Sequence, residues 1–200
     1  VFANVVIGDE INRASPKTQS AMLECMEERQ VTVDGVTYPL ESPFIVVATQ
    51  NPISMEGLYA LPEAQLDRFM ARTAMGYPVP SAEVAMLDAH ASASPLDLLV
   101  PVCTEAKVRD LIGIVGQVHV SDAVRRYAVD LATATRRSPD LRLGASPRAT
   151  LHLVRAAKAA AALQGRGYIR PDDLAELAPV VLTHRLIPTI EASSAGRSVE

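Results

Sequence analysis

Two short apolar runs, Val5–Gly8 in VVIGDE and Phe44–Thr49 in FIVVAT, constrain the fold of this chain more than any other feature. Neither alternates with polar residues. That is the pattern of a strand covered on both faces, and such strands belong to parallel sheets flanked by helices. The first run stops on Asp9 and Glu10, and a helix start follows at Ser15-Pro16, with Ser as N-cap and Pro at the first helical position. This helix is expected to reach about Arg29, with Thr18, Met22, Cys25 and Met26 on its apolar face. QVTVDGVTYPL then alternates on both sides of Asp34-Gly35, the strongest short hairpin signal. A short helix from Pro62 to about Met70 and a third strand over Arg72–Gly76 complete an α/β region, residues 1–80, which YPVPS punctuates.

Residues 81–200 read as helical throughout. Candidate helices are Glu83–Ala91, Glu105–Val118, Asp122–Arg137, Pro147–Leu163 and Pro171–His184, with Ser121, Ser146, Pro147 and Pro171 as start signals. The closing TIEASSAGRSVE reads as a frayed tail. Charge divides along the same line. Residues 1–80 carry 5 basic and 10 acidic side chains, net −5, and residues 81–200 carry 14 and 13, net +1. An overall charge of −4, 4% aromatics and no Trp argue against a general nucleic-acid grip or a stacking platform. The two cysteines, Cys25 and Cys103, have no metal or redox spacing and fit a reducing cytoplasm. No apolar run approaches membrane-spanning length.

Open α/β sheets bind ligands at the carboxyl ends of their strands, so the residues there carry the functional question. Burying an unpaired carboxylate is costly. Two readings of Asp9 and Glu10 therefore stand open: a cation and a reaction lie beside them, or both are solvated strand-end acids. In the first reading one carboxylate holds a hydrated Mg2+, which takes one or two carboxylates plus phosphate oxygens. The other polarises a water as general base. Side chains alternate along a strand, so the two would not share one job. Asn51 closes the second run. Its amide lies beside the carboxylates if the strands are neighbours, and otherwise it starts a turn with Pro52. Arg68, late in a short helix, suits either the helix dipole or a phosphate gripped in a guanidinium fork. Arg148 in GASPRAT falls in the first turn of a helix. A cation there costs about 0.3–1 kcal/mol, and an anionic ligand at the helix start reverses the sign. His90, His119, His152 and His184 show no ligand spacing and read as surface or capping residues. Arg125-Arg126 and Arg136-Arg137 read as solvated helix faces.

Taken in order, these signals resemble the AAA+ ATPases, and within them the MoxR group. DEINRASPKTQSAMLECMEERQVTVDG, VVATQNPISMEGLYALPEAQLDRF and GASPRATLHLVRAAKAAAALQGR are similar to MoxR sequence, and the likeness covers essentially the whole chain. The resemblance implies an α/β fold: the C-terminal part of an AAA+ P-loop core in residues 1–80, followed by a small all-α lid domain in residues 81–200. It implies ATP and Mg2+ as cofactors. VVIGDE resembles Walker B, with Asp9 holding the metal and the nucleotide and Glu10 activating the attacking water. Asn51 matches sensor 1, Arg68 the arginine finger and Arg148 sensor 2, acting in cis or in trans. The Val31–Leu40 hairpin matches the insertion before sensor 1. The resemblance also implies a homo-oligomeric ring, usually of six subunits, a partner with a von Willebrand factor A domain, and a protein client that is matured or remodelled.

One departure limits the expectation. No segment of the sequence matches G-x-x-x-x-G-K-[ST], the loop that cradles phosphates, and the chain begins, without Met, only eight residues before Asp9. The expectation is therefore a piece of a longer ATPase, inactive by itself, with sheet edges and apolar faces left exposed. The alternatives are a magnesium-chelatase-like motor subunit, a scaffold that has lost nucleotide binding, and a nucleic-acid remodeller. The acidic first half disfavours the last of these.

Overall fold

The structure, a computed structural model, describes residues 2–51, 59, 61–89 and 98–197. Strand β1 (Val5–Gly8) pairs in parallel with β4 (Ile45–Ala48), with Val5 opposite Ile45 and Gly8 opposite Ala48. This is the parallel arrangement that the two apolar runs predict, since parallel neighbours need a crossover between them. Helix α1 (Pro16–Glu28) lies in that crossover, and the Ser15 side chain accepts from the Thr18 N–H at its start. The buried residues of α1 are Gln19, Leu23 and Cys25, not the expected set: Thr18 is exposed, and Met22 and Met26 are only partly covered. Gln19 is buried because its amide donates to the carbonyls of Ile11 and Tyr59, which satisfies a polar group that apolar periodicity overlooks.

Strands β2 (Gln30–Val33) and β3 (Val36–Pro39) form the expected hairpin. Asp34 and Gly35 both have positive φ, 50° and 79°, as a turn matched to strand twist requires. A short helix, α2 (Glu63–Leu66), ends before Asp67 and is shorter than expected. Residues 71–79 form no strand. The expected third strand at Arg72–Gly76 is an exposed segment, and the Arg72 N–H is taken by the Val180 carbonyl in place of a sheet neighbour.

The remaining helices are α3 (Pro80–Ala89), α4 (Glu105–Gln117), α5 (Asp122–Arg137), α6 (Pro147–Leu163) and α7 (Pro171–Leu182), followed by a 3-10 turn at Thr183–Arg185. Ser121 and Ser146 cap α5 and α6 by accepting the Val124 and Ala149 N–H groups. Gly144 passes so close to α5 that a Cβ would lie 2.6 Å from the Arg136 backbone, which explains a glycine there. At the start of α7 the buried Asp173 accepts from the Arg170 N–H and from both terminal nitrogens of Arg166. That guanidinium holds the Asp173 carboxyl below its usual range. Besides the expected helices, β5 (Leu141–Leu143) and β6 (Ile187–Pro188) form a short antiparallel pair. The tail is ordered further than expected: α8 (Ile190–Ser194) is capped by Thr189 and buries Ala192. His90, Ala91, Pro52 and the last three residues lie outside the described residues.

The core sits in the helical part. Val124, Ala128 and Ala132 of α5, Ala149, Leu153, Ala157 and Ala161 of α6, and Leu174, Val181 and Leu182 of α7 make one buried cluster. The paired strands, by contrast, leave one apolar face open: Val5 is 57% exposed, Ile7 70%, Ile45 56% and Val47 46%.

Candidate functional site

At the carboxyl end of β1 the chain leaves the sheet at once. Asp9 is already in a turn, and Glu10 takes a left-handed conformation with φ 47° and ψ 51°. Strand alternation therefore does not separate the two side chains as the sequence suggested. Thr49, just beyond β4, joins them instead. Its hydroxyl accepts from the Glu10 N–H at 2.9 Å and donates to an Asp9 carboxylate oxygen. Its carbonyl accepts from the Ile11 N–H, and its own N–H donates to the Gly8 carbonyl. These bonds support a backbone conformation that costs a residue other than glycine about 1–3 kcal/mol.

Because β1 and β4 are neighbours, Asn51 falls beside the acids. Its side-chain amide donates to Glu10 Oε1 at 3.2 Å, while Arg13 Nε lies 3.0 Å from Glu10 Oε2. Asn12 is buried, and its Oδ1 has no hydrogen-bond partner among the described residues. Asp9 is exposed, with one carboxylate oxygen engaged by Thr49. This hard, oxygen-only donor set fits Mg2+, which keeps waters and phosphate oxygens as its other ligands. Among the described residues no three His, Cys, Asp or Glu side chains gather as a closed metal cage.

Arg68 and Arg148 are brought together elsewhere. Both lie against Glu27, near the C-terminal end of α1, with Arg68 Nε 2.9 Å from Glu27 Oε2 and an Arg148 terminal nitrogen on Glu27 Oε1. The residues flanking Asp9 and Glu10 lie against the middle of α1, Gly8 beside Met22 and Ile11 bonded by Gln19, whereas this cluster gathers at the helix's C-terminal end. Arg68 and Arg148 line a cleft of about 260 Å³ with Glu27, Arg29, His152 and Arg155. The Arg68 contact is an ion pair without a hydrogen bond, because its buried Nε–H is not aligned on the carboxylate.

A second carboxylate, Asp67, ties this cluster to the helical part. It accepts from the Ser146 hydroxyl at 2.7 Å, from Arg148 at 3.3 Å and from Arg185 Nε at 3.0 Å. Arg185, whose side chain is 2% exposed, donates further to the carbonyls of Asp67, Phe69, Met70 and Val181 and to His152 Nδ1. Burial lowers the Arg185 pKa, and the Asp67 charge beside it opposes that shift. His152 and His184 are accordingly not the surface or capping residues that their spacing suggested. His184 is buried, with Nε2 on the Phe69 carbonyl. Burial first, then Arg185, pushes the His152 pKa down to about 4, and burial also lowers that of His184. His119 is exposed, as expected.

Sequence reasoning missed Glu27, Asp67, Arg155 and Arg185. For Arg155 a signal existed: it follows Arg148 by two helical turns, which puts both on one face of α6. Arg185 gave no such signal, because its partners come from residues distant in sequence.

Comparison with known proteins assigns the two parts separately. Residues 1–71 match the model of the ATPase family associated with various cellular activities (AAA), and residues 133–200 match the AAA lid domain. The chain is 46% identical over its whole length to YeaC of Bacillus subtilis, an uncharacterized protein, of which it covers 62%. It is 41% identical to Chaperone MoxR1 of Mycobacterium tuberculosis, over 96% of this chain and 53% of that protein. Its fold matches the crystal structure of a candidate ATPase from Cytophaga hutchinsonii with a TM-score of 0.92 and 37% identity, over 99% of this chain and 63% of that one. The chain thus spans between about half and two thirds of the length of these relatives. With an AAA core and an AAA lid in this order, and MoxR proteins similar along nearly its full length, the chain belongs to the MoxR-type AAA+ ATPases.

Proposed function

We propose that the chain supplies part of an ATP-hydrolysing site in a MoxR-type AAA+ ring that matures or remodels a protein client. The observation that carries this reading is the Asn51 amide on the Glu10 carboxylate, beside Asp9, where β1 and β4 end. There Asp9 would hold Mg2+ and, through it, the nucleotide. Glu10 would take the proton from the attacking water, and Asn51 would orient that water against the γ-phosphate. When bound, Mg-ATP supplies the phosphoryl group, and the protein's work is positioning and electrostatic stabilisation. Arg68 as the arginine finger and Arg148 as sensor 2 share one cleft that neither Asp9 nor Glu10 lines, which favours both acting on a neighbouring subunit's nucleotide. A head-to-tail interface of that kind closes into a ring.

In this reading residues 1–80 belong to the core and 81–200 to the lid. The ring has six subunits, works in the cytoplasm and engages a partner with a von Willebrand factor A domain. Two free cysteines agree with a reducing compartment. Among the described residues no helix is long and apolar enough to cross a membrane. The sequence lacks the phosphate-cradling motif, so these 200 residues alone should not turn over ATP.

The test uses the protein made from its complete coding sequence. It should hydrolyse ATP, and Glu10→Gln should lower kcat by about 10²–10⁴ while nucleotide binding persists. Unchanged turnover removes Glu10 from this role. An arginine supplied in trans is worth about 10³–10⁵ in related nucleotide hydrolases. Mixing Arg68→Ala with Glu10→Gln subunits should therefore restore part of the activity, and no recovery at any ratio would overturn the trans arrangement.

A further inference from the structure

The cleft at the end of α1 holds more positive charge than the reading above uses. Four guanidinium groups, those of Arg29, Arg68, Arg148 and Arg155, line it with a single carboxylate, Glu27. Adding the adjoining Asp67 and Arg185 gives five positive groups against two negative ones, a net charge of +3. Among the described residues the side chains of Arg29 and Arg155 make no hydrogen bond or ion pair, and both are exposed at the rim. Arg68 adds only its unaligned contact with Glu27. A guanidinium carries five N–H donors in a fork suited to phosphate oxygens, so Arg29 and Arg155 present their whole donor sets at the rim. Arg29 is also the C-cap of α1, with φ 51°, a conformation that non-glycine residues seldom adopt and that directs the chain out of the helix at the cleft.

We propose that this cleft is a polyphosphate site in which Arg29 and Arg155 join Arg68 and Arg148, and from which Glu27 is the carboxylate that phosphate displaces. The ligand class is the phosphate chain of a nucleotide carried by a second copy of this chain. Neither Asp9 nor Glu10, where this copy would hold its own nucleotide, lines the cleft. In the lone protomer Glu27 neutralises Arg68 and Arg148. On assembly a multiply charged phosphate outcompetes it, because it meets all four guanidinium groups while Glu27 meets two. The proposal rests on the reading that Arg68 and Arg148 serve a nucleotide. It adds two binding residues and one exchanging counter-ion to them.

The test needs no turnover. Sodium tripolyphosphate is titrated into the 200-residue chain by calorimetry, at low salt and again at 0.3 M salt. The wild-type chain should bind it, and more weakly at the higher salt, as a screened site must. Arg29→Ala and Arg155→Ala should each weaken binding about fivefold, the worth of one unit charge at contact range in water. Glu27→Gln should tighten binding by a similar factor. Arg125→Ala, which alters an exposed pair on α5, should change nothing. ATP should bind as tripolyphosphate does, and adenosine should not bind.

Absence of binding by the wild-type chain, wild-type affinity in both Arg29→Ala and Arg155→Ala, or weaker binding by Glu27→Gln overturns the proposal. So does ATP binding more than tenfold tighter than tripolyphosphate, which would reveal a base pocket in this copy. Loss of binding in Asp9→Ala with the arginine variants unaffected would move the phosphate to the acidic end. That result defeats this proposal and leaves the proposed hydrolysis intact. Conversely, a complete protein that binds tripolyphosphate in this cleft yet never hydrolyses ATP defeats the proposed hydrolysis alone.

Discussion

Along α6 the small and apolar residues Ala149, Leu153, Ala157 and Ala161 are sealed from solvent, whereas Val5 and Ile7 of β1 and Ile45 and Val47 of β4 stand open. The helical part encloses a core of its own from α5, α6 and α7. In the α/β part, the buried apolar residues among those described, Ile11, Leu23, Cys25, Leu40 and Leu61, lie outside that cluster. Irregular backbone follows the same division. Among the described residues, positive φ at residues other than glycine occurs at Glu10, Arg29 and Asp34, all before β4; Glu10 is itself in the acidic pair and Arg29 lines the arginine cleft. The closed core lies in the helical part and the acidic strand ends in the α/β part, and Asp67 with Arg185 joins the two.

The largest effect is expected at that joint. Asp67→Asn leaves the buried Arg185 charge uncompensated, and breaking a buried pair in this way costs about 3–5 kcal/mol. Urea unfolding followed by circular dichroism measures it. A loss below about 1 kcal/mol would mean that the two parts are only loosely joined. Next, Leu153→Ala should cost about 2–5 kcal/mol, while Ile7→Ala, at an exposed position, should stay within about 0.5 kcal/mol. Equal costs would break the contrast between closed and open halves. Gly144→Ala forces a Cβ to within 2.6 Å of the Arg136 backbone. Overpacking of that kind costs about 1–3 kcal/mol, seen as a lower thermal midpoint.

The smallest expected effect is in pH. His152 binds its proton less readily folded than unfolded, its pKa being pushed down to about 4 from 6.5. The unfolded chain therefore takes up the proton first as pH falls. His152 contributes stability above pH 6.5 that is lost progressively toward pH 4. His184 contributes with the same sign. Thermal midpoints between pH 7 and 4.5 should fall, and His152→Asn should flatten part of the slope. An identical slope in the variant would show that Arg185 does not depend on a neutral imidazole.

The same contrast explains what could be read in the sequence. The starts of α1, α5, α6 and α7 were legible because caps are local: Ser15, Ser121 and Ser146 each need only the N–H three residues on. The hairpin was legible because Asp34-Gly35 carries its own turn preference. Asn51 beside Glu10 followed from two apolar runs becoming parallel neighbours. The arginine cleft was not legible as a cluster. Glu27 sits in a charged helix end like many others, and only the reach of Arg148 from α6 and of Arg68 from beyond α2 makes it their shared partner. Leu141–Leu143 was missed as a strand because Arg142 breaks a run of three, and its pairing with Ile187–Pro188 is set by the core beneath it. Arg72–Gly76 was expected as a strand, yet among the described residues no strand pairs with it.

The buried guanidinium of Arg185 reaches the carbonyls of Asp67, Phe69 and Met70, so it grips the backbone on both sides of Arg68 without touching that side chain. Arg68 thus belongs to one part of the molecule by sequence and to the other by attachment. Like a rudder fixed to its post, it has its bearing set by the Thr183–Arg185 turn, while its own side chain leans on Glu27 of α1.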